Sequence, residues 1–164
     1  MTVISNSSPL ITLANAKRLH LLQGVFEEVI IPYAVYDEVV VQGRMRPGAE
    51  NIAAAQWVVC RQVENQAAVQ NFRGIHRCLG PGEAETIILA KQLMADWVII
   101  DEVRGRRAAA QEGLKLIGTI GVVILAKELA LIASVQNVLD DFVRAGFRLS
   151  SATYQAALEK AGEA

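Results

Sequence analysis

Residues 79–107, LGPGEAETIILAKQLMADWVIIDEVRGRR, decide how the rest of the chain is to be placed. Gly80-Pro81-Gly82 breaks whatever precedes it, and a helix over 82–95 follows, opening with Glu83 and Glu85. Trp97 to Ile100 is then a short all-apolar strand that stops at Asp101-Glu102. Arg104, Arg106 and Arg107 sit on the next helix, 104–112, which Gly113 ends. Carboxylates at the start of a helix and the end of a strand, with a basic cluster beside them, mark a candidate site.

Working outward, the same alternation recurs. Val3-Ile4-Ser5 reads as a strand ending at Asn6, with Ser8 capping the next helix and Pro9 in its first turn. A short helix around Leu19–Leu22 is expected to end at Gly24, and Val29–Ile31 forms a second strand closed by Pro32. YAVYDEVVVQG (33–43) is helical, with Glu38 in its second turn near the face of Val35. A loop at 44–48 and a short helix at 49–55 lead to a third strand, Trp57 to Cys60, and residues 64–78 read as a polar helix. Beyond the opening stretch come a fifth strand at Leu116-Ile117 and helices near 120–130, 134–145 and 151–161. Short strands, apolar on both faces and alternating with helices, give an α/β class: a three-layer α/β/α domain over 1–164 around a parallel sheet of about five strands.

Composition narrows the function. Apolar residues make up 52% and mean hydropathy is +0.30, yet no apolar run reaches the roughly 18 residues of a membrane span. The longest, Val122 to Ala133, is interrupted by Lys127 and Glu128, and suits a buried helix or a homodimer surface. The N-terminus lacks a signal-peptide pattern, so a cytoplasmic location is expected. Cys60 and Cys78 share no metal spacing with His20 or His76, which excludes a zinc site and leaves reduced, partly buried thiols. Neither histidine pairs with a nucleophile, so a triad hydrolase is unsupported. With a net charge of −1 and a pI near 6.1, any nucleic-acid role must rest on a local basic patch.

In open parallel sheets, sites form beyond the carboxyl ends of the strands, where strand order reverses. Asn6, Asp101 and Thr119 fall at such ends, and Ser8 opens the neighbouring helix. Glu83 is harder to place. A helix packed antiparallel to strand 4 is expected to leave it at the opposite end of the sheet, unless the glycine-rich entry lets that helix sit at an edge. A few carboxyl and amide oxygens suit Mg²⁺ or Mn²⁺, hard cations that keep several waters and can activate one for attack on a phosphodiester.

Five segments in order, VISNSSPLITLA, VIIPYAVYDEV, LGPGEAETIILAKQLMADWVIIDE, GRRAA and GTIGVVILAKELALI, resemble the PIN-domain superfamily, and within it a group of prokaryotic PIN-like proteins. The resemblance implies the fold already inferred and, for many members, Mg²⁺/Mn²⁺-dependent ribonuclease activity, including the toxins of toxin–antitoxin pairs. RNA and a small antitoxin are the partners it implies. It also implies a quartet of acids, whose positions are held here by Asn6, Glu38, Glu83 and Asp101, and so brings Glu83 into the site.

The departure is Asn6, which offers a carbonyl oxygen but no charge where active relatives carry aspartate. Glu102, next to Asp101, is the nearest group able to make up that charge. The alternative function is therefore a weakened PIN-like module that binds RNA or a protein. A receiver-like phosphoacceptor domain is disfavoured, because the acidic pair it needs after strand 1 is Asn6-Ser7 here. Each candidate also has a purely structural role. Asp101, Ser8 and Thr119 can be helix caps, Asn6 can close a turn, and Glu83 can favour the helix dipole. Glu38 can be a surface carboxylate and the three arginines a solvated face, as against a phosphate-binding patch. Glu85, about 200° around the helix from Glu83, is expected in solvent.

Overall fold

The computed structural model covers residues 1–164. Five parallel strands form one sheet: β1 (Val3–Ser5), β2 (Val29–Pro32), β3 (Val58–Arg61), β4 (Trp97–Ile99) and β5 (Leu116–Ile117), in the order β3-β2-β1-β4-β5. Central β1 pairs with β4 through Val3–Trp97, Ile4–Val98 and Ser5–Ile99, and with β2 through Ile4–Ile30. Strand order reverses between β1 and β4, so the crevice beyond their carboxyl ends is where a site is expected.

Alternation along the strands builds the three layers. Val3, Val29, Ile31 and Ile99 belong to a buried cluster of 24 residues on one face, and Ile4, Ile30, Val98 and Ile100 to a cluster of 14 on the other. Each strand is thus apolar on both sides because each side is covered. The larger layer contains α1 (Ser7–Asn15), α2 (His20–Phe26), α3 (Tyr33–Tyr36) with its continuation to Val41, and α4 (Ala49–Ala54). It is completed by α8 (Thr119–Glu128), α9 (Val135–Arg144) and α10 (Ser151–Lys160). The smaller layer holds α5 (Gln66–Ile75), α6 (Pro81–Gln92) and α7 (Val103–Gln111). No helix is long and apolar enough to cross a membrane.

Several local expectations change. Gly24 does not end α2, which runs to Phe26; a Cβ there would lie 2.8 Å from Leu131 Cδ1, so close packing accounts for the glycine. α1 begins at Ser7 with Asn6 as the residue before it, so Ser8 is not the cap. The helix after β2 turns π-helical over Asp37–Val41, the turn that carries Glu38, and such insertions are frequent at functional sites. Val122, Val123 and Ala126 are buried by the chain's own helices, while Leu129 and Leu131 remain exposed. Cys60 and Cys78 are free and exposed rather than partly buried.

Candidate metal centre and nucleic-acid cleft

Asn6 follows β1 and is pinned by its backbone N–H to Ile99 O of β4 at 3.0 Å. Its side chain is 3% exposed, and Oδ1 has no hydrogen-bond partner. The turn-closing role open to an asparagine is not taken up: Asn6 precedes α1 without capping it.

Glu83 lies at the same end of the sheet. α6 enters beside Asn6 and delivers the chain to Asp96 and Trp97, whose N–H groups bond Thr2 O at the amino end of β1. The opposite-end expectation fails on this geometry, since a helix antiparallel to the strand that follows it must begin at the carboxyl end. Glu83 Oε1 accepts a long bond from Gly80 N–H, 3.4 Å, while Oε2 is buried and unpartnered. Burial raises the Glu83 pKa above the ordinary carboxylate range, the Gly80 N–H lowers it, Glu102 and Glu38 raise it further, and Arg104 opposes them.

Two glycines make room for these oxygens. A Cβ on Gly82 would sit 3.2 Å from Glu38 Oε2 and 3.7 Å from Asn6 Oδ1. On Gly105 it would fall 2.6 Å from Glu83 Oε2 and 2.7 Å from Ile100 Cδ1. Asn6, Ser8, Glu38, Glu83 and Glu102 share one open cleft of about 730 Å³, which Tyr33, Asp37, Gln42 and Arg46 also line.

Asp101 does not line it. Its Oδ1 accepts Thr119 N–H at 2.7 Å and its Oδ2 accepts the Thr119 hydroxyl at 2.6 Å, tying β4 to the start of α8. β4 ends at Ile99, and of the two acids that follow, Glu102 lines the cleft while Asp101 lines a separate groove. The arginines also divide. Arg106 is half-buried, with Nη1 donating to Ile100 O at 2.7 Å, while Arg104 and Arg107 are exposed. Glu85 is not in solvent: its Oε2 accepts Ala34 N–H at 2.8 Å, so α6 supplies Glu83 and also anchors the helix that bears Glu38.

A family model described as a PIN domain matches residues 2–163. The chain belongs to the PIN-domain family. No curated protein and no solved structure matches it. The all-parallel β3-β2-β1-β4-β5 sheet is the PIN-like three-layer fold the sequence led us to expect, and the match supports a nuclease-type fold.

The donor set of this PIN domain fits a hard cation. Two buried oxygens have no partner, all the donors are oxygen, and the acids around Glu83 act against its ionisation, a cost that a cation would relieve. No three acidic, histidine or cysteine side chains are grouped closely enough to enclose a metal unaided. A cation held here would have to keep much of its water.

Sequence reasoning missed Gly82, Gly105, Tyr33 and Arg46. Gly82 carried a signal, since a glycine one residue before a buried helix-start acid leaves space for neighbouring side chains. Gly105 and Arg46 carried none that spacing could read.

Proposed function

We propose that this PIN domain is a Mg²⁺/Mn²⁺-dependent ribonuclease, and that its working donors are Asn6, Glu38, Glu83 and Glu102. The observation that carries the reading is the pair of buried, unpartnered oxygens, Asn6 Oδ1 and Glu83 Oε2, in the cleft that Glu38 and Glu102 also line. Bound there, Mg²⁺ or Mn²⁺ would supply a water of lowered pKa and offset charge building up on the phosphate.

The chain's own contribution is positional. Gly82 and Gly105 keep the space around the carboxylates free, Gly80 holds one oxygen of Glu83 and leaves the other unpartnered, and Glu85 fixes the helix carrying Glu38. Asp101 joins β4 to α8 through Thr119 and so holds the turn from which Glu102 projects.

End-labelled RNA incubated with the protein in Mn²⁺ should be cleaved, and Glu83→Gln should abolish that cleavage with little effect on melting temperature. Equal cleavage by wild type and Glu83→Gln would sink the assignment.

Asn6 supports a second reading, a PIN domain that binds RNA or a protein and cleaves nothing. Cleavage that appears only in Asn6→Asp would favour it.

A further inference from the structure

The acidic cleft has a basic neighbour. On the other side of the β4–α7 turn lies a groove of about 690 Å³, bounded by the carboxyl end of β5, the first turns of α8, the segment 147–150 and α10. Arg106, Arg148 and Lys160 line it, and none of them takes part in a salt bridge. Its one acid is Asp101, whose two oxygens are already held by Thr119. Ile117 and Phe147, both half-buried, contribute to an apolar floor.

The contrast in charge is what makes the groove informative. Asp37, Glu38, Glu83 and Glu102 line the cleft, against Arg46 alone. A polyanion whose reacting phosphate sat in the cleft would be repelled there except where a cation intervened, so its flanking phosphates need neutralisation elsewhere. A chain with a net charge of −1 can provide that only locally. The consecutive residues Asp101 and Glu102 line one each, so the groove and the cleft lie on either side of a single turn.

We propose that this groove binds the single-stranded RNA segment flanking the scissile bond, with its phosphates on Arg106, Arg148 and Lys160 and its bases against Phe147 and the apolar floor. The inference rests on the ribonuclease reading of the cleft. An apolar floor under a basic rim suits unstacked bases, which a duplex keeps inside its stack. An acidic peptide would match the rim's charge too, but only the β4–α7 turn separates the groove from the cleft, which favours the substrate.

The test uses the full chain and a labelled oligoribonucleotide about a dozen nucleotides long, within the span that such grooves cover. Binding is followed by fluorescence anisotropy over a salt series in EDTA, so that cleavage does not interfere. In the double variant Arg148→Gln/Lys160→Gln, both positions being exposed, affinity at low salt should fall on the order of tenfold. The slope of log K against log salt should shrink by about 1.4, two charges at about 0.7 each. Lys115→Gln, an exposed position at the amino end of β5 and outside both the groove and the cleft, should change neither quantity.

An unchanged slope in the double variant, with wild type still cleaving RNA, overturns the groove and leaves the cleft standing. An equal loss in Lys115→Gln overturns it as well, because net charge and not a path would then govern binding. Duplex RNA binding as tightly as the single strand overturns the single-stranded assignment. Wild type that neither binds nor cleaves RNA overturns the reading of the cleft, and this proposal with it.

Discussion

Asp101 and Glu102 are neighbours in the chain and have opposite surroundings. Both oxygens of Asp101 are engaged by Thr119, joining the end of β4 to the start of α8. Glu102 makes no side-chain hydrogen bond to the protein and projects into the cleft with Asn6, Glu38 and Glu83. The same division separates Glu163, which accepts from Lys127, Ser134 and two backbone N–H groups, from Glu83, whose Oε2 accepts from nothing. An acid fully bonded within the protein contributes to stability, whereas one held in place but left unpartnered is available to a ligand.

The sharpest way to break this contrast is to neutralise the neighbours one at a time. Glu102→Gln should lower Mn²⁺-dependent RNA cleavage by roughly 10–100-fold and leave the melting temperature within about a degree. Asp101→Ala should retain cleavage within a few-fold but lose about 1–3 kcal/mol of stability, since it strands the buried Thr119 donors. At about 2–4 °C per kcal/mol for a chain of this size, that loss is readily seen by thermal melting. The reverse pattern, with activity lost in Asp101→Ala and kept in Glu102→Gln, would return the fourth position to Asp101.

Gly105→Ala probes the unpartnered oxygen from behind. The new methyl would need to stand 2.6 Å from Glu83 Oε2 and 2.7 Å from Ile100 Cδ1, so the carboxylate must move. Displacement on that scale should cost about tenfold in activity and weaken Mn²⁺ binding in titration calorimetry. Alanine is otherwise the better helix former, by about 1 kcal/mol, so an inactive variant that is still folded is the expected outcome. Unchanged Mn²⁺ affinity would show that the position of Glu83 does not matter to the metal.

How much of this was legible in the sequence follows from what each residue depends on. The strands could be read because each is a short apolar run, with Asn6, Pro32, Asp101 and Gly118 stopping four of the five, and their two-sided apolarity foretold helices on both faces. Asn6 could be named from its place at the end of strand 1, whereas Glu38 and Glu83 entered only through the family resemblance. The choice between Asp101 and Glu102 could not be read, because it turns on which of the two carboxylates Thr119, at the start of α8, engages. Glu85 was misplaced for another reason. A helical wheel puts it away from Glu83 correctly, but does not reveal that the first turn of α3 packs there with a free N–H at Ala34. Arg148 comes from the segment between α9 and α10 and Lys160 from the end of α10, and nothing local links them to Arg106 in the opening stretch.

Asn6→Asp sharpens the comparison from the weak side of the cleft. Aspartate is as good as asparagine before a helix, so α1 should be undisturbed. The added charge joins Glu38, Glu83 and Glu102 in one cleft, so the metal-free protein should melt slightly lower and Mn²⁺ should bind several-fold more tightly. An unaltered Mn²⁺ affinity would mean that Asn6 Oδ1 does not face the cation.

The smallest effect on activity, none, is expected at Glu163, and its effect on stability has a definite sign. The Lys127 ammonium first, then the Val135 and Gln136 N–H groups and the Ser134 hydroxyl, hold this carboxyl at a pKa of about 2, below the ordinary 4.5. A depressed folded-state pKa means that the unfolded chain binds the proton more readily. The stabilisation is therefore present above about pH 4.5 and is lost as pH falls toward about 2. Glu163→Gln should lower stability at neutral pH and flatten that acid limb in melts recorded between those two values, with RNA cleavage at neutral pH unchanged. A variant that kept the wild-type acid limb would show that Glu163 is not the carboxylate responsible for it. A variant that lost cleavage while remaining folded would break the division between bonded and available acids at the site farthest in sequence from the cleft.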